Sequence, residues 1–155
     1  MGMTKYLASL PLFEGLSKRE LREIEAIIHQ RDFKDMEVIS QAGELPLAIY
    51  VIKKGEVNLV VGKPGEVGDI IETLVSGDVV GEICLFDDEP RFTSIISIGD
   101  TETYGMFKHD IEELMRRNEK LGFKIVRNIG KKLASRVRKL SHLVYEKTGG
   151  SGADE

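Results

Sequence analysis

The sequence has one cysteine, Cys84, and three histidines, His29, His109 and His142, in 155 residues. A single thiol excludes an internal disulfide and any metal site built on paired cysteines. It also fits a reducing compartment, so the cytoplasm is the default expectation. The histidines are scattered and no H-x-H pair occurs, which argues against a clustered-histidine metal site; no metal and no cofactor are expected. Long apolar runs are missing as well. Met1 to Leu10 lacks the core of a signal peptide, and nothing reads as a membrane span. There is no internal repeat. No nucleophile stands beside a candidate base, so the chain is not expected to be an enzyme.

What remains is ordinary globular material, 41% hydrophobic and 31% charged. A chain of this length is expected to form one domain that buries roughly 68–70% of the surface of its unfolded state. The net charge of −4 hides a division. Residues 1–115 carry 11 Lys+Arg against 22 Asp+Glu, whereas residues 116–147 carry 11 against 2. A basic terminal helix after an acidic body attracts nucleic acid or an acidic partner, or docks on its own body; the second is the simpler expectation.

Along the chain, Ser17-Lys-Arg-Glu20 has the form of a capping box, and Leu21, Ile24, Ile27 and Ile28 follow at helical spacing. Residues 18–29 therefore read as an amphipathic helix. From Phe33 the texture changes to short apolar runs punctuated by Gly43, Gly55, Gly62, Gly65, Gly68, Gly77 and Gly99. The expectation is a mainly β fold with flanking helices: an eight-stranded β-roll or jelly roll over about residues 33–108, preceded by an N-terminal helix. The run from Tyr50 ends in Gly55, read as the positive-φ residue of a hairpin. Two C-terminal helices close the chain over about residues 109–147, the second capped by Asn118 and running to about Tyr145. Val126, Ile129, Leu133, Val137, Leu140 and Val144 form a narrow apolar stripe on it, which predicts a two-helix seam and a homodimer. The domain is thus expected over residues 1–147, with 148–155 a flexible tail.

The informative stretch is Val80-Gly-Glu-Ile-Cys-Leu-Phe-Asp-Asp-Glu-Pro-Arg-Phe-Thr. Gly81 lets a ligand approach the backbone closely, and the first amides of a short helical turn carry partial positive charge. Arg91 offers a planar fork that grips two phosphate oxygens at once. Glu82 has no use for a phosphate; it can accept from a sugar hydroxyl and orient Arg91. Together these describe a nucleotide site. A bland reading is kept beside it: Glu82 and Arg91 as a structural ion pair in a degenerate cassette, the chain then serving as a protein-interaction or dimerisation module. Cys84 reads as a buried filler, and Asp87-Asp88-Glu89 as a solvated turn.

Here the sequence resembles the cyclic-nucleotide-binding domain family, on the cassette Gly81-Glu82-Ile83-Cys84-Leu85 followed by Pro90-Arg91. Leu10-Pro-Leu-Phe13, Leu16-Ser17, Gly43-Glu44 and Tyr50-Val-Ile-Lys-Lys-Gly55 extend the likeness to about residues 7–145. The resemblance implies a regulatory module that binds a cyclic nucleotide and relays ligand state through its last helix to a downstream protein. Arg91 would clamp the cyclic phosphate, Glu82 the ribose 2′-hydroxyl, and the backbones of Ile83 and Cys84 would complete the cradle. The long helix would act as a lid on the base, with Arg136 or Val137 nearby.

Three positions depart from the family's pattern. Phe92 follows the arginine where a small residue is usual, Thr93 replaces a common alanine, and Val80 replaces a frequent aromatic. Phe92 either turns away from the pocket or crowds the phosphate. Members that prefer cGMP often carry Thr directly after the arginine; its absence leans the expectation to cAMP over cGMP. The catabolite activators also carry a helix-turn-helix after the long helix, on the order of 60–70 residues. The sequence ends at 155, so no DNA-binding domain is expected here.

Overall fold

The computed structural model describes residues 2–66 and 68–149. A short helix α1, Met3–Ala8, and a 3₁₀ turn, Pro11–Phe13, lead into α2, Lys18–Glu25. The capping box forms as expected: Ser17 Oγ accepts from the Glu20 amide at 3.2 Å, and Glu20 Oε2 accepts from the Ser17 amide at 2.7 Å. The helix stops four residues short of its predicted end. From Ile28 the chain is strand β1, Ile28–Phe33, paired antiparallel with Met106 through Thr101. Adjacent β-branched residues, Ile27 and Ile28, satisfy a helical period but fit a strand better.

The other strands are β2 (Val38–Ser40), β3 (Ala48–Val61), β4 (Ile70–Val75), β5 (Val79–Val80) and β6 (Thr93–Phe107). There are thus six among the described residues against the eight expected. The difference lies in β3 and β6, which pair along their whole length and each serve two neighbourhoods. The first part of β3 lies between β5 and the second part of β6, which β1 flanks. The second part of β3 lies between β4 and the first part of β6, which β2 flanks. The mainly antiparallel β-roll with flanking helices stands. Gly55 is not a hairpin turn; its φ of +92° falls where the register shifts in mid-strand. A Cβ there would meet Asp100 O at 2.5 Å, so the bend requires glycine.

Two clusters fill the interior. Ile52, Val57, Leu74, Val80 and Ile95 pack within the roll. A larger cluster joins Phe13, Ile24, Ile49, Val51, Met106, Ile111, Leu121, Ile125 and Ile129, tying the helices to one part of the sheet. The closing helices are α3, Lys108–Arg117, and α4, Glu119–Thr148. Asn118 Oδ1 accepts from the Leu121 amide at 3.1 Å, the predicted cap. The helix runs past Tyr145 and takes in Thr148, the first residue assigned to the tail; residues 150–155 lie outside the described residues.

The apolar stripe on α4 divides in two. Ile129 is buried on the body with Leu121 and Ile125, whereas Val126, Val137, Leu140 and Val144 are exposed, joined by Phe123. The basic side chains of α4 reach the acidic body: Lys124 to Glu20 at 2.8 Å, Lys131 to Glu14 at 3.9 Å, Lys132 to Glu82 at 2.8 Å, and Arg136 to Glu72. Self-docking accounts for much of the charge division. No helix among the described residues is long and apolar enough to cross a membrane.

Candidate functional site

Strand β5 pairs with Val51 and Tyr50 of β3, then breaks at Gly81, whose φ is +94°. The left-handed residue turns the chain into a 3₁₀ turn, Glu82–Leu85. Space demands glycine here as well. A Cβ on residue 81 would lie 2.7 Å from Ala48 O and 2.7 Å from an Arg91 guanidinium nitrogen. The guanidinium therefore lies directly over the bare backbone of Gly81, and the two ends of the predicted cassette meet. The Cys84 amide donates to Gly81 O at 3.1 Å, so it closes the turn from inside.

Arg91 is fixed by its main chain. Its amide donates to Glu44 O at 3.1 Å, and its carbonyl accepts from the Gly43 amide at 2.7 Å. Phe92 O accepts from the Gly62 amide at 3.0 Å, and β6 begins at Thr93 opposite Val61. With the backbone pinned on both sides, the Phe92 ring stands 71% exposed at the rim of the site. It borders the pocket at that rim and does not fill the hollow. Pro46, Gly81, Arg91, Phe92 and Thr93 share with Leu59, Leu74 and Val80 a pocket of about 270 Å³, with Arg136 of α4 at its border. That volume is close to the lower bound of about 300 Å³ for small-molecule sites.

The electrostatics are unusual. Among the described residues no carboxylate lies within 4.0 Å of the Arg91 guanidinium, and its Nε is buried with no hydrogen-bond partner. Burial pushes its pKa down from the ordinary guanidinium range, with Cys84, Tyr50 and Glu82 acting in opposition. An arginine stays charged regardless. A partly buried positive charge without a counter-ion faces the pocket.

Glu82 behaves differently from the sequence reading. Its side chain is 3% exposed, and it makes no ion pair with Arg91. Oε1 faces Lys132 Nζ from α4 at 2.8 Å, in a charge pair whose angles do not make a hydrogen bond. Lys132 Nζ also donates to Val79 O at 2.7 Å. Lys132 was not among the predicted site residues. The available signal was its place on the inward face of α4, three residues after Ile129 and four after Asn128.

The remaining candidates fall as follows. Arg136 borders the pocket and is held by Glu72 of β4. Val137 is 62% exposed and is not among the residues that line the pocket, because it lies on the outer side of the helix. Ile83 and Cys84 line the pocket with Glu82. The Cys84 thiol is buried, and burial pushes its pKa up to about 11, which fits an inert filler. Asp88 pairs with Lys108 at 2.7 Å, and the Glu89 amide donates to Asp87 Oδ1 at 3.3 Å; the three acids form an exposed turn. Among the described residues no group of three His, Cys, Asp or Glu is placed to hold a metal ion.

Comparison with known proteins is consistent with this geometry. A family model described as "Cyclic nucleotide-binding domain" matches residues 30–118. The cyclic AMP receptor protein of Thermus thermophilus is 26% identical over 136 residues, 88% of this chain and 63% of that protein. A cAMP-dependent protein kinase regulatory subunit from Mycosarcoma maydis is 29% identical over 98 residues, 63% of this chain and 18% of that subunit. This chain thus spans less than two thirds of either relative. A crystal structure of a cyclic nucleotide-binding domain from Methylobacillus flagellatus superposes with a TM-score of 0.79, covering 97% of this chain and 84% of the other. At 21% identity that is a likeness of fold.

Proposed function

Because the chain belongs to the cyclic nucleotide-binding domain family, we propose that its pocket takes a cyclic nucleoside monophosphate, cAMP in preference to cGMP. One observation carries the reading: Arg91 holds a partly buried charge with no counter-ion among the described residues, at the wall of a pocket of about 270 Å³. A buried charge without a partner is costly, and an anionic ligand supplies the partner. Arg91 grips the cyclic phosphate over Gly81, and Ile83 and Cys84 border it. Glu82 accepts from the ribose 2′-hydroxyl with the oxygen that Lys132 leaves free. The base lies against Leu59, Leu74 and Val80, with Arg136 at the helix side. Phe92, the departure that favoured a degenerate cassette, stands exposed at the rim and leaves the pocket open.

Residues 1–147 act as one sensor in the cytoplasm, without catalysis, and α4 relays occupancy to a downstream protein. The exposed stripe of Val126, Val137, Leu140 and Val144 joins two copies. A ligand shifts α4 only by binding its two positions with different affinity. Calorimetric titration with cAMP and cGMP tests the reading. Arg91→Ala removes charge-assisted hydrogen bonds worth about 1.5–3 kcal/mol, so cAMP affinity is expected to fall about 10- to 150-fold. Equal affinity in the variant overturns the placement of the phosphate.

A further inference from the structure

We infer that Lys132 is a positioning residue for ribose recognition, holding Glu82 so that one carboxylate oxygen is presented to the sugar. The inference rests on the nucleotide reading above and concerns the same site. Glu82 lines the pocket, yet its side chain is almost wholly out of water. A carboxylate in such a place needs a cation, and Arg91 is not that cation. Lys132 is the only one within 4.0 Å among the described residues. It comes from α4 on the side away from the ligand, lining the neighbouring groove with Glu72 and Asp78 and not the pocket itself.

Two independent anchors make the arrangement specific. Lys132 Nζ donates to the carbonyl of Val79 at 2.7 Å, so strand β5 fixes where the ammonium sits. It then stands 2.8 Å from Glu82 Oε1, the oxygen that is out of contact with water. With Oε1 turned to the ammonium, Oε2 is left for the pocket. A long lysine held at only one point swings freely; one held by a strand carbonyl fixes the rotamer of the acid beside it. The consequence is selective. Lys132 governs how well Glu82 reads a hydroxyl, and it has no direct part in gripping the phosphate.

The test is the ratio of dissociation constants for 2′-deoxy-cAMP and cAMP, measured by calorimetry on the whole chain. A hydroxyl donating to a carboxylate makes this ratio about 10 to 150 in the unaltered protein. In Lys132→Met the ratio is expected to fall to about 3 or less, and in Lys132→Arg to return most of the way. Lys132→Gln, which removes the charge but keeps a polar side chain with a donor, about one atom shorter, serves should the methionine variant fail to fold; it too should lose most of the ratio. A purely structural role weakens both ligands in parallel and leaves the ratio unchanged. That result overturns the inference while leaving the nucleotide site intact. Failure of the unaltered protein to bind cAMP or cGMP at all overturns the site reading and this inference with it. Binding of both sugars with equal affinity removes Glu82 from ribose recognition, and Lys132 with it.

Discussion

Replacing Arg91 by methionine should leave the ligand-free protein at least as stable as before while cutting its stabilisation by cAMP to about half or less. The reasoning starts from the missing counter-ion. The guanidinium is partly buried, its Nε has no partner, and burial depresses its pKa. Exchanging buried charge for well-packed apolar atoms is often neutral, or stabilising by about 1–4 kcal/mol. Because the group retains some contact with water, solvent screening reduces that to about 0–2 kcal/mol here. For a chain of this size each kcal/mol moves the melting temperature by about 2–4 °C, so the variant is expected between no change and roughly 8 °C higher. With cAMP at about 100 times its Kd the unaltered protein gains about 2.7 kcal/mol, and a variant that binds about 10- to 150-fold more weakly gains about 0.3–1.4 kcal/mol. The ligand-induced gain should therefore be smaller in the variant by about 1.3–2.4 kcal/mol. Denaturant titration with and without cAMP reads both quantities. A loss of about 3–5 kcal/mol without ligand would refute the argument, since that is the signature of breaking a buried pair.

Two further outcomes follow from other parts of the molecule. Leu140→Glu combined with Val144→Glu places charge on the outer stripe of α4, so sedimentation should change from dimer to monomer while helix content is kept; a monomeric unaltered chain removes the proposed interface. The Cys84 thiol, lifted from 9.0 to about 11 by burial, should react with iodoacetamide at pH 8 roughly a hundred-fold more slowly than an unperturbed thiol, from thiolate fraction alone. Its folded pKa lies above the unfolded one, so the stability linked to this group is intact below about pH 9 and fades as pH climbs toward 11. Labelling at the rate of a free thiol in the folded protein contradicts the burial argument.

The turn at Gly81 was legible in the sequence because its geometry is local. Gly81 is needed twice over, for a positive φ and for the space under Arg91, and only the second reason depends on the fold. The capping box at Ser17 and the cap at Asn118 are local in the same way. What could not be read depends on long-range pairing. Ile27 and Ile28 satisfy a helical period, and only the partnership of Ile28 with Met106 makes that segment a strand. Gly55 signals a turn, yet its cause is the carbonyl of Asp100, 45 residues on. The same limit hid the partner of Glu82. Nothing within the cassette indicates that its acid is answered from α4, 50 residues later, and an ion pair with nearby Arg91 is the natural local guess.

Helix α4 shows why one apolar stripe was too simple. Leu121, Ile125 and Ile129 repeat every four residues and drift around the helix with the body they cover. Phe123, Val126, Val137, Leu140 and Val144 are exposed, and the last three are three and four apart, the average 3.5-residue period of a seam between helices. The two patterns overlap in sequence near Ile129 but lie on different sides of the helix. A row of polar inward positions runs beside the first pattern. Asn128 donates to Leu12 O and Glu14 O at 2.8 and 2.9 Å, Lys132 meets Glu82, and Arg136 meets Glu72. The pins at Lys124 and Asn128 are remote from the pocket, whereas Arg136 borders it and Lys132 meets Glu82 of its lining from behind. Under the proposed reading, a ligand that meets Glu82 or crowds Arg136 acts on the stretch of α4 that leads to the exposed Val137, Leu140 and Val144. The proposed relay would thus be anchored by the buried stretch from Leu121 to Ile129 and would respond beyond Lys132.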